Sequence, residues 1–247
     1  MVIATPIWRS RPTDHEIAFL RRTDQTNREV DRWLCAPENL DVSFYTRQLP
    51  DWRIQRYPDQ AFASVTAYSK WLTAPDFYRS VDAYEFVTIC QLDALLIKDI
   101  TGVDMSGMDY LGSAWVPPLK VLTPGRRIYV ASGQSGRQGL WLTRRFGRSL
   151  HVGNGGLSIR RIAAHIIAAE WLTNSIPERY RVTTLEDVLL CAFASRNGLR
   201  IAPAEIAEQV FSETRAATFE SVPDIYGFHG LWRWNPALAE SLVAIVE

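Results

Sequence analysis

Residues 84–97, YEFVTICQLDALLI, constrain the fold more than any other part of the chain. Phe86, Val87, Ile89 and Cys90 form a continuous apolar run, which is how a strand buried on both faces of a sheet reads. Such strands belong to sheets covered by helices on both sides. The run ends at Gln91-Leu92-Asp93, and open α/β sheets bind their ligands beyond the carboxyl ends of their strands. Asp93 therefore reads either as an oxygen ligand for a divalent cation or as a cap or acceptor with a structural role.

The rest of the chain supplies partners for that strand. Residues 2–7 are too short an apolar run for a helix and read as a first buried strand, with 32–36 as a second. Residues 42–45 and 52–57 are weaker strand candidates. Thr13-Asp14 caps a helix over about 15–27, Ser64 caps another through Leu72, and Pro75 opens a short helix. Residues 109–116 read as a further strand. Residues 117–139, rich in Gly, Pro and Ser, read as a mobile loop or lid. A Gly-rich turn at 151–160 leads into helical spacing at 162–172. Thr183-Thr184 cap a helix over 185–195. Shorter helices follow at 202–209 and from Pro236, around an irregular aromatic stretch at 219–234. This alternation, without repeats or a linker, predicts a single α/β domain over residues 1–247 with a mainly parallel sheet.

Composition narrows the function. Lys plus Arg and Asp plus Glu both number 27, so the chain lacks the basic excess of a nucleic-acid binder. The pairs Arg126-Arg127, Arg144-Arg145 and Arg160-Arg161 are phosphate contacts or solvated surface. Cys35, Cys90 and Cys191 lack metal-ligand spacing and read as buried free thiols of a reducing compartment. The N-terminal sequence has no signal-peptide apolar core, and nowhere do some 20 apolar residues run together, so the expected location is cytoplasmic. Nine tryptophans leave peripheral membrane contact open.

Four polar groupings are candidates for chemistry, each with a bland counterpart. Asp93 is the first. Gly153-Asn154-Gly155-Gly156 offers unhindered backbone N–H groups to phosphate or sugar hydroxyls, or is only a tight turn; it matches neither the P-loop nor the dinucleotide fingerprint. Glu186-Asp187 is a general-base candidate, or compensation for a helix dipole. His229, between glycines and aromatics, is a metal ligand or phosphate contact, or a satisfied structural histidine. His151 adjoins the Gly-rich turn. No Gly-x-Ser-x-Gly motif is present, and no Cys stands beside a base.

The order of these motifs resembles that of GT-A-fold glycosyltransferases. The series runs Gln91-Leu92-Asp93, Asp109-Tyr110-Leu111-Gly112, Gly153 to Arg160, Leu185-Glu186-Asp187-Val188 and Gly227-Phe228-His229-Gly230. It is closest to a bacterial glycosyltransferase-like family of unknown function, with a β-1,4-galactosyltransferase-like motif order. The resemblance implies a GT-A-like (Rossmann-like) domain that moves a sugar from a UDP- or GDP-sugar to a glycan or other acceptor hydroxyl. It implies that Gln91 and Asp93 stand at the Asp-x-Asp element and that His229 joins Asp93 on Mn2+ or Mg2+. Thr5 and Pro6 would border the nucleotide, with Asp109, Tyr110, Asn154, Gly155 and Gly156 in the donor site. Asp187 or Glu186 would be the base, which implies inversion at the anomeric carbon. A cell-surface polysaccharide or lipopolysaccharide acceptor is the implied context. Gln91 departs from the pattern, because it offers a carbonyl but no charge; Lys70, Arg127 or Arg160 would then help hold the diphosphate. The alternatives are a non-catalytic nucleotide or sugar binder and a metal-dependent nucleotidyltransferase.

Overall fold

The computed structural model describes residues 1–130, 137–181 and 184–244, with backbone alone at 137–141. The strands are β1 (Val2–Pro6), β2 (Asp31–Pro37), β3 (Arg53–Tyr57), β4 (Phe86–Cys90), β5 (Ala94–Leu96), β6 (Tyr110–Gly112), β7 (Ala114–Leu122), β8 (Tyr129–Val130), β9 (Arg148–Val152), β10 (Leu157–Arg161), β11 (Phe211–Ser212) and β12 (Gly227–His229). Six of them form the central sheet in the order β3-β2-β1-β4-β10-β6. The pairs β1/β2, β2/β3 and β1/β4 are parallel, while β10 runs antiparallel to both β4 and β6. The chain winds outward from β1 to β3 and then returns to β4 on the other side of β1. That reversal places the topological switch point at the carboxyl ends of β1 and β4.

Both faces of this sheet are buried, as the apolar run in β4 predicts. Val2, Ala4, Val87 and Ile89 pack on one side with Leu72, Phe77, Tyr78, Ile162 and Ala169 from the covering helices. Ile3, Cys90, Leu157 and Ile159 pack on the other with Ile100, Val103 and Phe211. Two smaller sheets flank the site: β11-β12-β5 and β8-β7-β9. The helix Asp14–Thr26 begins as its sequence predicts: the Thr13 hydroxyl accepts from Glu16 N–H, and the Glu16 carboxylate reaches back to Thr13 N–H. Ser64 caps Val65–Leu72, and Pro75 opens Pro75–Arg79.

Three local expectations change. Residues 42–45 are not a strand; Ser43–Gln48 is a helix. The Asp41 carboxylate accepts Ser43 N–H at 2.9 Å, and Tyr45 and Leu49, four residues apart, are both buried. That is the helical period rather than the alternating one. Residues 117–122 are not loop, because β7 continues through Pro117-Pro118 to Leu122. Its pairing with β9 jumps from Ala114↔Val152 to Leu119↔Leu150. The prolines fall in that irregular stretch, where a missing N–H breaks no ladder. The stretch 131–136 of the expected lid lies outside the described residues. The helix Glu186–Ala192 is capped by Leu185 with no side-chain bond, so Thr184 does not cap it, and Thr183 is not among the described residues. All three cysteines are free and buried. Among the described residues, no helix is long and apolar enough to cross a membrane.

Candidate active site

Beyond β4 the chain turns sharply. Gln91 N–H donates to Gly156 O at 2.8 Å and Ala94 N–H to Gln91 O at 2.9 Å. Leu92 is buried in this turn, while Asp93 keeps 54 % of its side chain exposed. β12 then brings His229 alongside. His229 pairs with Ala94 across the antiparallel β12/β5 ladder, and Gly230 N–H donates to Asp93 O at 3.0 Å. Residues more than 130 positions apart thus become neighbours through one strand register.

The imidazole of His229 lies between two carboxylates. Nε2 is 3.3 Å from Asp93 Oδ1, and Nδ1 is 3.4 Å from Glu213 Oε1. These are ion-pair distances without hydrogen-bond alignment, and both ring nitrogens are buried without a directed partner. Burial opposes a charged ring, but the two carboxylates outweigh it and lift the His229 pKa to about 9. Burial likewise works to raise the Asp93 carboxyl, yet His229, then a backbone N–H and lastly Arg9 hold it below the usual range.

The Gly-rich turn closes over this ring. Asn154 adopts φ 67°, the left-handed region that Asn tolerates better than most residues. Its Oδ1 accepts Gly156 N–H at 3.1 Å and its Nδ2 donates to Glu213 Oε2 at 3.2 Å. Glu213 therefore joins the loop to His229. At Gly156 a Cβ would lie 2.1 Å from His229 Nε2, and at Gly155 one would lie 1.7 Å from Glu186 Oε1. Glycine is required at both by close approach.

Glu186 and Asp187 are placed beneath the loop, both buried. Asp187 Oδ2 accepts Asn154 N–H at 2.9 Å and Gly155 N–H at 3.2 Å, and Oδ1 accepts Val188 N–H at 2.7 Å. Burial, reinforced by the charge of Glu186, raises the Asp187 carboxyl to about 6. Glu186 Oε1 meets Arg160 Nη2 at 3.2 Å and its Oε2 accepts from Ser69 Oγ at 3.4 Å.

Arg160 is not a surface phosphate contact; its exposure is 0 %. The β10/β4 register pairs it with Val87, so alternation turns it into the helix-covered face. There Nε donates to Ser158 Oγ, Nη1 to Tyr78 OH at 3.0 Å, and Nη2 to Gly155 O and Glu186. The guanidinium also lies 5.5 Å from the Tyr110 ring centroid. It acts on the loop from below, through Gly155 and Glu186.

Asp109 stays apart from this cluster, and Tyr110 meets it only through Arg160. They stand at the amino end of β6, which runs parallel to β4, so they occupy the edge of the sheet opposite Asp93. The Asp109 carboxylate is held by Arg200 and Arg161, which keep it below the usual range, and Tyr110 is fully buried. Gly112, at the carboxyl end of β6, is the end near the loop: a Cβ there would meet Gly153 O. Lys70 is surface-paired with Glu178 at 2.6 Å. Arg127 lies 5.5 Å from the Tyr180 ring centroid. Thr5 and Pro6 end β1 below the surface, with the Thr5 hydroxyl buried and without a partner.

Sequence reasoning missed Glu213, which has no motif around it, and Trp8 and Arg9, which follow β1 directly. Trp8 is 48 % exposed at the switch point. Arg9 pairs with Glu16, leaves its Nε buried without a partner, and acts on Asp93 through its charge.

A family model described as "Protein of unknown function (DUF5672)" matches residues 51–228. No curated protein matches the sequence. Among solved structures, the galactosyltransferase LgtC in complex with donor and acceptor sugar analogs is similar at 10 % identity and TM-score 0.62, covering 99 % of this chain and 96 % of that one. An active-site mutant of LgtC is similar at 11 % identity and TM-score 0.59, covering 99 % and 95 %. The fold is the GT-A-like glycosyltransferase fold that the motif order implies.

Proposed function

Since the chain belongs to the DUF5672 family, whose function is unknown, we propose from its site that it is a glycosyltransferase acting on a nucleotide-sugar donor and an acceptor hydroxyl. One observation carries the reading: Asp93, His229 and Glu213 stand in a row at the switch point, with Gly156 of the Gly-rich turn packed directly against the His229 ring. The similarity in fold to LgtC, solved with donor and acceptor sugar analogs, supports it.

Trp8 offers an apolar face to the base at the carboxyl end of β1. Arg9 supplies positive charge that reaches Asp93 and would favour a diphosphate there. In this reading Asn154, Gly155 and Gly156 shape the sugar end of the site by close packing, since their N–H groups are bonded within the protein. Asp187 keeps the loop in place through two backbone N–H groups, and Arg160 and Glu186 brace it from below. In this reading the two acids position the loop.

The donor set fits a divalent cation. An oxygen and an imidazole nitrogen face each other at Asp93 and His229, and a cation held there would displace the ring proton that the two carboxylates favour. Glu213 stands beside Nδ1, the place that an outer carboxylate takes in histidine metal sites. Among the described residues no three His, Cys, Asp or Glu side chains converge on one point, so such an ion would be shared with the donor diphosphate. When bound it would supply charge to the departing diphosphate.

A thermal-shift panel of UDP, GDP and CDP and their sugars, with and without Mn2+, tests the proposal. Selective stabilisation by one nucleoside diphosphate is expected, since a ligand of the folded state alone raises its stability. If no nucleotide shifts the melting temperature under either condition, the reading fails. Gln91 favours one rival, a nucleotide or sugar binder without turnover; that protein would shift yet leave the donor intact in the presence of acceptors.

A further inference from the structure

Charge is distributed unevenly along a chain whose total is zero. Residues 110–169 hold nine Lys or Arg and not one Asp or Glu. Arg160 and Arg161 are used internally, the first with Glu186 and the second with Glu85 and Asp109. Lys120, Arg126, Arg127, Arg144, Arg145 and Arg148 are all exposed. Among the described residues, no salt bridge ties Lys120, Arg126, Arg127 or Arg144 to a carboxylate. All six belong to one elaboration, the β8-β7-β9 sheet and the helix Arg137–Phe146 packed on β7.

That helix also presents apolar surface. Leu142 is 41 % and Phe146 61 % exposed, and with Arg145 they occupy positions i, i+4 and i+3 of one face. Thr143 is buried beneath. A polyanion in solution would use the arginines and leave Leu142 and Phe146 without a role. An anionic bilayer uses both, taking apolar side chains into its interface and drawing basic ones to its headgroups.

We propose that the exposed face carrying Leu142, Arg145 and Phe146, with its basic surround, seats this protein on an anionic lipid membrane. The seat borders the candidate active site: Thr214 Oγ1 donates to Val116 O of β7 at 3.5 Å, and Thr214 follows Glu213. Val116 itself is 51 % exposed beside it. Seating does not depend on the transferase reading, because it is measured with protein and vesicles alone.

The test is co-sedimentation with phosphatidylcholine vesicles containing or lacking phosphatidylglycerol, at low and high salt. Binding is expected to the anionic vesicles only and to weaken as salt shortens the range of the charges. Leu142→Ser/Phe146→Ser should lower the partition coefficient roughly tenfold or more. Arg144→Gln/Arg145→Gln should lower it by roughly thirtyfold, at about fivefold per basic residue. Unchanged melting curves establish that each variant folds, and elution of the Leu142/Phe146 variant from heparin like the parent shows its charges intact. If one pair of substitutions unfolds the protein, the other decides alone. No binding to anionic vesicles, equal binding to neutral ones, or binding indifferent to the substitutions overturns the proposal.

Discussion

Glu213 stands 3.4 Å from Nδ1 of His229, on the opposite side of the ring from Asp93. Its other oxygen accepts from Asn154 Nδ2 at 3.2 Å, so one carboxylate touches both the ring and the loop above it. Outer carboxylates of this kind typically contribute ten- to a hundredfold to metal affinity. Glu213→Gln should therefore weaken Mn2+-dependent nucleotide binding by roughly that factor, read by titrating Mn2+ in a thermal-shift assay at fixed nucleotide. Unaltered Mn2+ dependence would remove Glu213 from the site.

The backbone at Asn154 separates strain from hydrogen bonding. Asn154→Ala loses both side-chain bonds and forces a Cβ residue without local compensation into φ 67°. A loss of roughly 2–3 kcal/mol in urea unfolding is expected. Asn154→Gly loses the same bonds but accepts the conformation, and should cost about 1 kcal/mol less. Equal losses would mean that φ is not the constraint.

Arg160 and Glu186 form a pair taken wholly out of water. Arg160→Met leaves Glu186 buried without its cation and should cost about 3–5 kcal/mol. Arg160→Met/Glu186→Met removes both charges and should recover much of that loss. Arg160→Lys will not substitute, because a single ammonium cannot reach Tyr78, Ser158, Gly155 and Glu186 together. Urea unfolding of the three variants reads the comparison.

Asp187→Asn tests positioning against proton transfer. An amide keeps one acceptor oxygen where the carboxylate serves three N–H groups. A positioning role raises the KM for donor along with any fall in kcat. A base role lowers kcat by about 10²–10⁴ with KM little changed. The anomeric configuration of the product, read by NMR, tests the implied inversion independently.

Acid sensitivity should trace in part to His165. It is fully buried, its Nδ1 lies 2.9 Å from Arg161 O, and the rings of Tyr78 and Tyr110 flank it. Burial, then the nearby Arg160 charge, depress its pKa from 6.5 to about 3. The folded state resists the proton that the unfolded state accepts, so stability is lost as pH falls from about 6.5 towards 3. Between pH 7 and 5 this amounts to about 2 kcal/mol. His165→Phe should flatten that slope in urea titrations at the two pH values; an unchanged slope would place the titrating group elsewhere.

Local signals determined much of this protein. The unbroken apolar run of β4, the Thr13 and Ser64 caps and the Pro75 helix start are written in neighbouring residues, because burial periodicity and capping act over one or two turns. The order of Asp93, the Gly-rich turn, Glu186-Asp187 and His229 was equally legible. The tertiary structure decided what these residues face. Glu213 meets His229 only because β11 and β12 pair beside β5. Arg160 turns inward because a single step of register selects the face of β10. Asp109 and Tyr110 fall at the wrong edge because β6 runs parallel to β4 and begins where β4 begins. Register and strand direction are set by contacts between distant segments, and no window of sequence contains them.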